Sequence, residues 1–204
     1  MGMDYYDLSD ERKIQWMLSG SSEEKWGWVI YRCSYKPELQ STWESYKDYV
    51  EKKTRKQIAE SDAPDIADKL DWAFVEDPEL EGALLDELKR RFRAWARSEV
   101  KGRFDVDNPP YVRGSRYEYF IQVDEAALRS LVGNPSNGHV NIVRAWVDPL
   151  PPDEATDEFG DAIDIEDWMK MKSDMIVPYW YLVLDNPEEW YVEYCPPPDG
   201  LCVY

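Results

Sequence analysis

The chain of 204 residues is poor in the residues that most often build metal centres and catalytic triads. It has one histidine, His139, and three cysteines, Cys33, Cys195 and Cys202, without the spacing of a metal site. Multi-histidine metal centres and histidine-based triads are therefore nearly excluded. We interpret the cysteines as free thiols of a reducing cytosol. Acid–base chemistry would then depend on carboxylates, tyrosine or cysteine.

Nucleotide-binding motifs and membrane-spanning segments are also absent from the sequence. There is no Gly-x-Gly-x-x-Gly, no phosphate-binding Gly-Lys-Ser/Thr loop and no Gly-x-Ser-x-Gly. The longest uncharged apolar run, 175–184, contains Pro178 and is too short to cross a bilayer. Residues 1–12 are acidic and lack the basic and apolar regions of a secretory signal. We therefore expect a cytoplasmic protein that does not bind membranes.

Positive charge is scarce and unevenly distributed. The chain has 24 Lys and Arg against 42 Asp and Glu, which gives a net charge of −18. From Val147 onward there are fifteen acidic residues and only two lysines. This balance favours a basic protein or a cationic small molecule as partner and disfavours passive binding to nucleic acid.

Two predicted helices nevertheless carry basic faces. These faces are a candidate patch for a phosphate backbone, although solvated helix faces often have the same composition. The basic residues concerned are Lys52, Arg55, Arg90, Arg93 and Arg97.

Aromatic residues are abundant, with ten Trp and fourteen Tyr, which indicates an ordered interior. Residues 26–35 hold the densest run of aromatic and β-branched side chains in the first half of the chain. This composition predicts a central strand, covered on both faces because neither face is plainly polar. Gly27, between two tryptophans, predicts a bulge or a close backbone approach.

Periodicity predicts further elements along the chain. Long helices are expected over 38–60 and 78–100, a short helix over 124–132 and a helical turn over 168–172. Strands are expected over 70–75, 117–123, 139–147, 175–184 and 190–194, and the acidic segment 148–167 is expected to be a mobile loop. We expect one buried cluster that contains Trp28, Ile30, Leu84, Leu88, Phe92, Ile121 and Val143.

These elements predict an α+β fold. We expect a single domain with a mixed, mainly antiparallel sheet and helices packed on one face, with a ferredoxin-like core as the leading topology. The domain is predicted to span residues 25–195. An N-terminal arm, 1–24, precedes it, and a C-terminal tail, 196–204, follows it.

Two acidic turns are the candidate carboxylate sites. Asp77-Pro78 is a typical helix start, with Asp as the N-cap and Pro at the first helical position, so a structural role is favoured there. The second turn begins at Asp185 and continues with Glu188 and Glu189. Acids are also common in turns for purely local reasons, so this turn has an ordinary structural interpretation too.

The position of the second turn motivates a functional hypothesis. It follows the most apolar segment and precedes Trp190 and Tyr191, which could form the wall of a pocket. A carboxylate beside aromatic walls has a raised pKa unless a cation offsets the burial. Such a group could take a proton from an amine or bind a guanidinium. We therefore predict that Asp185, Glu188 and Glu189 line a cleft.

Most of the chain, from about residue 26 to 200, resembles a large group of small uncharacterised filamentous-fungal proteins. The resemblance is specific as a group signature and carries no information about chemistry. The stretches that carry it are Trp26–Tyr35, Asp77–Ala83 leading into Arg90–Phe92, Tyr119–Asp124, and Trp190-Tyr191 with Pro196-Pro197.

A second, shorter resemblance concerns the acidic turn. Asp185-Asn186-Pro187-Glu188-Glu189 is similar to the Asp-Asp-x-x-Glu motif of fungal arginine-containing cyclodipeptide synthases, with Asn186 in place of the second Asp. This resemblance implies aminoacyl-tRNA substrates and no metal, cofactor or ATP. It also implies that the carboxylates of the turn act on the substrate and that the basic helix faces contact the tRNA. The alternative is a non-catalytic cytosolic protein that binds a basic partner through its acidic C-terminal third.

Overall fold

The computed structural model describes residues 5–20, 24–109, 113–151, 154–160 and 163–203. Its strands are β1 (Val29–Arg32), β2 (Ala73–Val75), β3 (Tyr119–Val123), β4 (His139–Arg144) and β5 (Trp168–Lys172). Its α-helices are α1 (Asp10–Gly20), α2 (Gln40–Ala59), α3 (Leu85–Val100), α4 (Ser115–Glu118), α5 (Glu125–Leu131), α6 (Pro178–Val183) and α7 (Glu189–Glu193).

The five strands form one mixed sheet in the order β2-β1-β3-β4-β5. Strand β1 is parallel to both β2 and β3, whereas the pairs β3–β4 and β4–β5 are antiparallel. The α+β class and the single domain are confirmed. The sheet is mixed, as predicted, and its two antiparallel strand pairs are longer than its two parallel ones.

Helices cover both faces of this sheet. Ile30 and Ile121 belong to a first buried cluster with side chains of α1, α2, α5, α6 and α7. Val29 and Phe120 point the other way, into a second cluster built on α3. The prediction of helices on one face is therefore wrong, because the strand residues are apolar on both sides and each face needs a cover.

The single predicted core cluster divides along the same faces. Trp28 lies in the first cluster, and Leu88, Phe92 and Val143 lie in the second. A ferredoxin-like core is not found either. That topology follows the order βαββαβ. Here α2 connects β1 to β2 on one face of the sheet, and α3 connects β2 to β3 on the opposite face.

The predicted central strand is confirmed, with β1 at the middle of the parallel part of the sheet. Gly27 has a positive φ of 113°. A Cβ at this position would lie 2.8 Å from the carbonyl oxygen of Asp71. The predicted close backbone approach is therefore confirmed, and the absence of a side chain is what permits it.

The helix expected over 78–100 begins later than predicted. Pro78–Leu80 forms a short 3-10 turn, and Gly82 then adopts a positive φ of 65° that interrupts the helix. Leu84, expected in the core, is 78% exposed because it precedes the first turn of α3. Leu88 is fully buried on the same helix.

Three predictions for the C-terminal third are wrong. The expected helical turn over 168–172 is strand β5, in which Met169 and Met171 alternate with polar side chains. The strands expected over 175–184 and 190–194 are instead helices α6 and α7. A short apolar run does not distinguish a strand from a buried helix, and Pro178 occupies the first turn of α6 as prolines often do.

The ends of the chain are in contact with the domain. Ile14 and Leu18 of α1 belong to the first cluster, and Cys202 forms a parallel bridge with Met171 of β5. The described residues of the acidic segment 148–167 form neither a helix nor a strand. Within the described ranges, no helix is both long enough and apolar enough to span a membrane.

Candidate active site at the Asp185 cleft

A cleft of about 180 Å³ lies where β3 begins and β4 ends. Four segments meet there: the loop before α4, α4 itself, the end of β4 and the turn between α6 and α7. We call it the Asp185 cleft, and its lining residues are Pro109, Arg113, Gly114, Glu118, Arg144, Leu184, Asp185 and Pro187.

Asp185 is held in the cleft by the start of α4. Its carboxylate accepts a hydrogen bond from the backbone N–H of Ser115. The Ser115 hydroxyl donates to the carbonyl oxygen of Tyr181 at 2.6 Å, which joins α4 to α6. Gly114, which precedes Ser115, has a positive φ of 74° that favours glycine. These contacts fix Asp185 between two elements that are distant in sequence.

Burial raises the pKa of Asp185, and the Ser115 N–H opposes this shift. Among the described residues, no basic side chain contributes to the pKa of this carboxylate. Arg113 and Arg144 line the same cleft, but each has its own partner, the Glu118 carboxylate for Arg113 and the Tyr191 hydroxyl for Arg144. A partly buried carboxylate with a raised pKa favours binding of a proton. Asp185 therefore has the environment predicted for a group that accepts a proton.

Glu118 and Arg113 form a second charged pair in the lining. The Arg113 Nη1 atom donates to Glu118 Oε2 at 2.9 Å, and both side chains are largely buried. Arg113 also donates to the carbonyl oxygens of Val106 and Asp107. Glu118 is thus already paired, whereas Asp185 is the carboxylate of the cleft that remains free to bind a cation.

Arg144 brings the predicted aromatic residues to the cleft. Its Nη1 atom donates to the Tyr191 hydroxyl at 3.1 Å, and its guanidinium carbon lies 5.5 Å from the Trp190 ring centroid. Trp190 is fully buried and stacks on Tyr119. The Nε atom of Arg144 is buried without a hydrogen-bond partner in the described structure. Trp190 and Tyr191 therefore support the wall of the cleft through Arg144.

The three predicted carboxylates do not share the cleft. Glu188 is exposed, and its backbone N–H donates to the Asn186 side chain, as in a local Asx turn. Glu189 begins α7 and contacts Asn186 at 3.5 Å. Neither belongs to the lining, so the expectation that all three line one cleft holds only for Asp185. Asn186, which replaces the motif's second Asp, organises the turn.

The five predicted basic residues lie on two sides of the protein. Lys52 and Arg55 are on α2, whereas Arg90, Arg93 and Arg97 are on α3, across the sheet. The expectation that all five converge on one surface is therefore wrong. The period of a helix predicts which residues share its face, but it does not place two helices on the same side of a sheet.

The three α3 arginines do converge. They line a groove of about 360 Å³ with Asp86, Lys89, Asp148 and Pro149. Arg93 and Arg97 also lie over the ring of Trp146, with guanidinium carbons 5.5 and 5.7 Å from its centroid. Arg113 of the Asp185 cleft lies over the same ring at 4.2 Å. The basic side of α3 is therefore next to the cleft.

Each of the five basic residues also has an acidic partner. Lys52 and Arg55 pair with acids on α2, Arg90 with Glu87, Arg93 with Asp148 and Arg97 with Asp107. A polyanion that binds the α3 groove must therefore compete with these carboxylates. Salt is expected to weaken such binding steeply.

Glu118, Arg113 and Arg144 were not anticipated from the sequence. Arg144 ends a strand and Arg113 lies in a loop, and nothing in their local pattern distinguishes them from other charged residues. The contacts of Arg113 and Arg144 with aromatic rings join segments that are distant in sequence. Within the described residues, no group of three or more His, Cys, Asp or Glu side chains could hold a metal ion.

No protein-family model matches the chain, and no curated protein and no solved structure is significantly similar to it.

Proposed function

We propose that the protein is a tRNA-dependent synthase of arginine-containing cyclic dipeptides, with its chemistry at the Asp185 cleft. The observation that carries the proposal is the environment of Asp185, a partly buried cleft carboxylate whose pKa is raised by burial. The short motif resemblance supports the same residue.

The reaction needs a base for an amine. In peptide-bond formation from two aminoacyl esters, the amino group of one attacks the ester carbonyl of the other, and a tRNA hydroxyl leaves. The attacking amine must lose a proton before or during this step. Asp185 accepts this proton. Because its pKa is raised, it is closer to the pKa of an amine than the pKa of an ordinary carboxylate is. A second attack of the same kind closes the ring and releases the second tRNA.

The α3 groove supplies the contact for the tRNA. Arg90, Arg93 and Arg97 face one groove, and Arg93 and Arg97 meet Arg113 of the cleft around Trp146. A phosphate backbone on α3 would place an attached ester near Asp185. Lys52 and Arg55 lie across the sheet and are not part of this contact.

Expression of the full chain in a bacterial host, with mass analysis of the medium, tests the proposal directly. New arginine-containing cyclic dipeptides should appear, and the purified protein should form them when total tRNA is charged in the reaction with arginine and the other amino acids. Ribonuclease treatment before the assay should abolish the product. Folded protein that forms no product from this full set of aminoacyl-tRNAs would overturn the proposal.

A second candidate function is the binding of a basic protein by the acidic C-terminal third. The observation that favours it is Phe159, which is 82% exposed among the exposed acids Asp157 and Glu158. Salt-dependent binding of a lysine-rich peptide, lost when Phe159 is changed to Ser, would support this function. Binding that is unaffected by this change would argue against it.

A further inference from the structure

The two cysteines near the C-terminus are brought together by a loop that folds back on itself. Cys195 follows α7, and six residues separate it from Cys202. The Cys195 thiol donates to the carbonyl oxygen of Glu193 at 3.5 Å, and it lies near enough to the Cys202 thiol to influence the pKa of that group. Cys195 also packs against the first cluster, to which Cys202 belongs. Both thiols are free in the structure.

The backbone holds the two ends of this loop in place. The Gly200 N–H donates to the carbonyl oxygen of Pro196 at 2.9 Å. A Cβ on Gly200 would lie within 2.9 Å of the Cys195 carbonyl group, so the two parts of the loop are in close contact. Their proximity therefore rests on the path of the chain.

The far end of the loop is fastened to the sheet. The N–H of Cys202 donates to the carbonyl oxygen of Lys170 at 2.9 Å, and the N–H of Lys172 donates to that of Cys202 at 3.1 Å. The Lys170 ammonium also donates to the carbonyl oxygen of Pro198. Because β5 is the last strand of the sheet, this segment covers its free edge.

We propose that Cys195 and Cys202 form a reversible disulfide that locks the C-terminal segment onto the edge of β5. The oxidant is a low-molecular-weight disulfide such as oxidised glutathione. The Cys195 thiolate, the more accessible of the two, attacks one sulfur of the oxidant and releases one thiolate. The Cys202 thiolate then attacks the Cys195 sulfur and releases the second. The oxidant gains two electrons, and its two thiolates take the protons lost by the cysteines.

The second step is expected to be slow at neutral pH. Burial raises the pKa of Cys202 to about 12, which leaves little thiolate at pH 7. Closure of the disulfide should therefore accelerate as the pH rises. A closed ring of this size constrains the unfolded chain, so the oxidised protein should melt about 5 °C higher than the reduced protein.

The test uses the full chain in buffers of graded oxidised-to-reduced glutathione ratio. Intact mass should fall by two hydrogen atoms, and peptide mapping should place the linkage between Cys195 and Cys202. Cys195→Ser should abolish the linkage, and since Cys195 is only partly buried this variant should fold. Cys33→Ser is the matched control, because Cys33 lies in the second cluster, across the sheet.

The proposal is overturned if Cys195 stops at a glutathione adduct, or if the linked protein melts no higher than the reduced protein. It is also overturned if the control variant loses the linkage equally. None of these outcomes depends on the proposed synthase activity.

Discussion

Two acidic turns in this protein look alike in sequence and differ in environment. Asp77 precedes a proline directly, and Asp185 precedes one by two residues. The Asp77 carboxylate accepts the N–H of Glu79 at 3.0 Å and the guanidinium of Arg91 at 2.6 Å. These hydrogen bonds lower its pKa. Burial instead raises the pKa of Asp185, against the single N–H of Ser115.

The difference shows what separates a structural carboxylate from a candidate catalytic one. At Asp77 the donors are local, since Glu79 is two residues away and Arg91 lies on the helix that follows. At Asp185 the surroundings come from α4 and β4, far away in sequence. The Asp77 carboxylate is hydrogen-bonded within its own turn, whereas the Asp185 carboxylate can still bind a proton or a cation.

The largest expected effect is on activity. Asp185→Asn should lower the yield of cyclic dipeptide by about 100-fold or more, because the amide cannot accept the amine proton. Asp77→Asn is the matched control and should leave the yield per folded protein unchanged. Mass analysis of product from equal amounts of folded protein measures both. Equal yields from the two variants would remove the functional contrast between the turns.

The next largest effect is on the stability contributed by α3, the helix that follows the Asp77 turn. The Asp77 turn leads into α3, whose Leu88 is fully buried in the second cluster. Leu88→Ala should lower the free energy of unfolding by about 2–5 kcal/mol. Leu84→Ala, at the exposed start of the helix, should change it by less than about 0.5 kcal/mol. Urea unfolding of both variants measures these changes. Similar losses of unfolding free energy in the two variants would contradict the burial of Leu88 and the exposure of Leu84.

The smallest expected effect is a pH dependence of opposite sign at the two turns. Since the folded pKa of Asp185 is raised, ionisation costs stability as the pH rises through that value. Asp185→Asn should therefore raise the melting temperature at pH 7, and the gain should vanish as the pH falls toward the ordinary value of 3.8.

Asp77 should behave in the reverse way. Its folded pKa is lowered, so its ionised form stabilises the protein above pH 3.8, and this contribution is lost as the pH falls through the folded value. Asp77→Asn should lower the melting temperature at pH 7, with the difference shrinking at acid pH. Melting curves from pH 7 to pH 3 measure both variants against the wild type, and shifts of the same sign would contradict the contrast.

Local signals predicted much of the architecture. The aromatic and β-branched run at 26–35 predicted the central strand, and the helical period predicted α2 and most of α3. The short helix expected over 124–132 is α5, and the Asp124 carboxylate caps it by accepting the N–H of Ala127. These elements were predictable because their patterns arise from contacts within a few residues.

The same signals were insufficient in the last third of the chain. The alternation of Met169 and Met171 with Lys170 and Lys172 spans too few residues to distinguish a strand from a helical turn, and the apolar run at 175–184 suited a strand as well as a helix. Where that run turns at Asp185, the sequence indicated a cleft carboxylate, and Asp185 does belong to the lining of a cleft. It also suggested Glu188 and Glu189, which do not belong to the lining of the cleft.

The sequence by itself determined the α+β class, the central strand and the candidacy of Asp185, because these depend on composition, period and local turn chemistry. Only the tertiary structure decided that α2 and α3 cover opposite faces, which separates Lys52 and Arg55 from the α3 arginines. It also decided that the Ser115 N–H approaches Asp185 and that Asp185 is partly buried in a cleft. The physical reason is that burial and charge neighbours are set by strand pairing between distant segments, which no local pattern records.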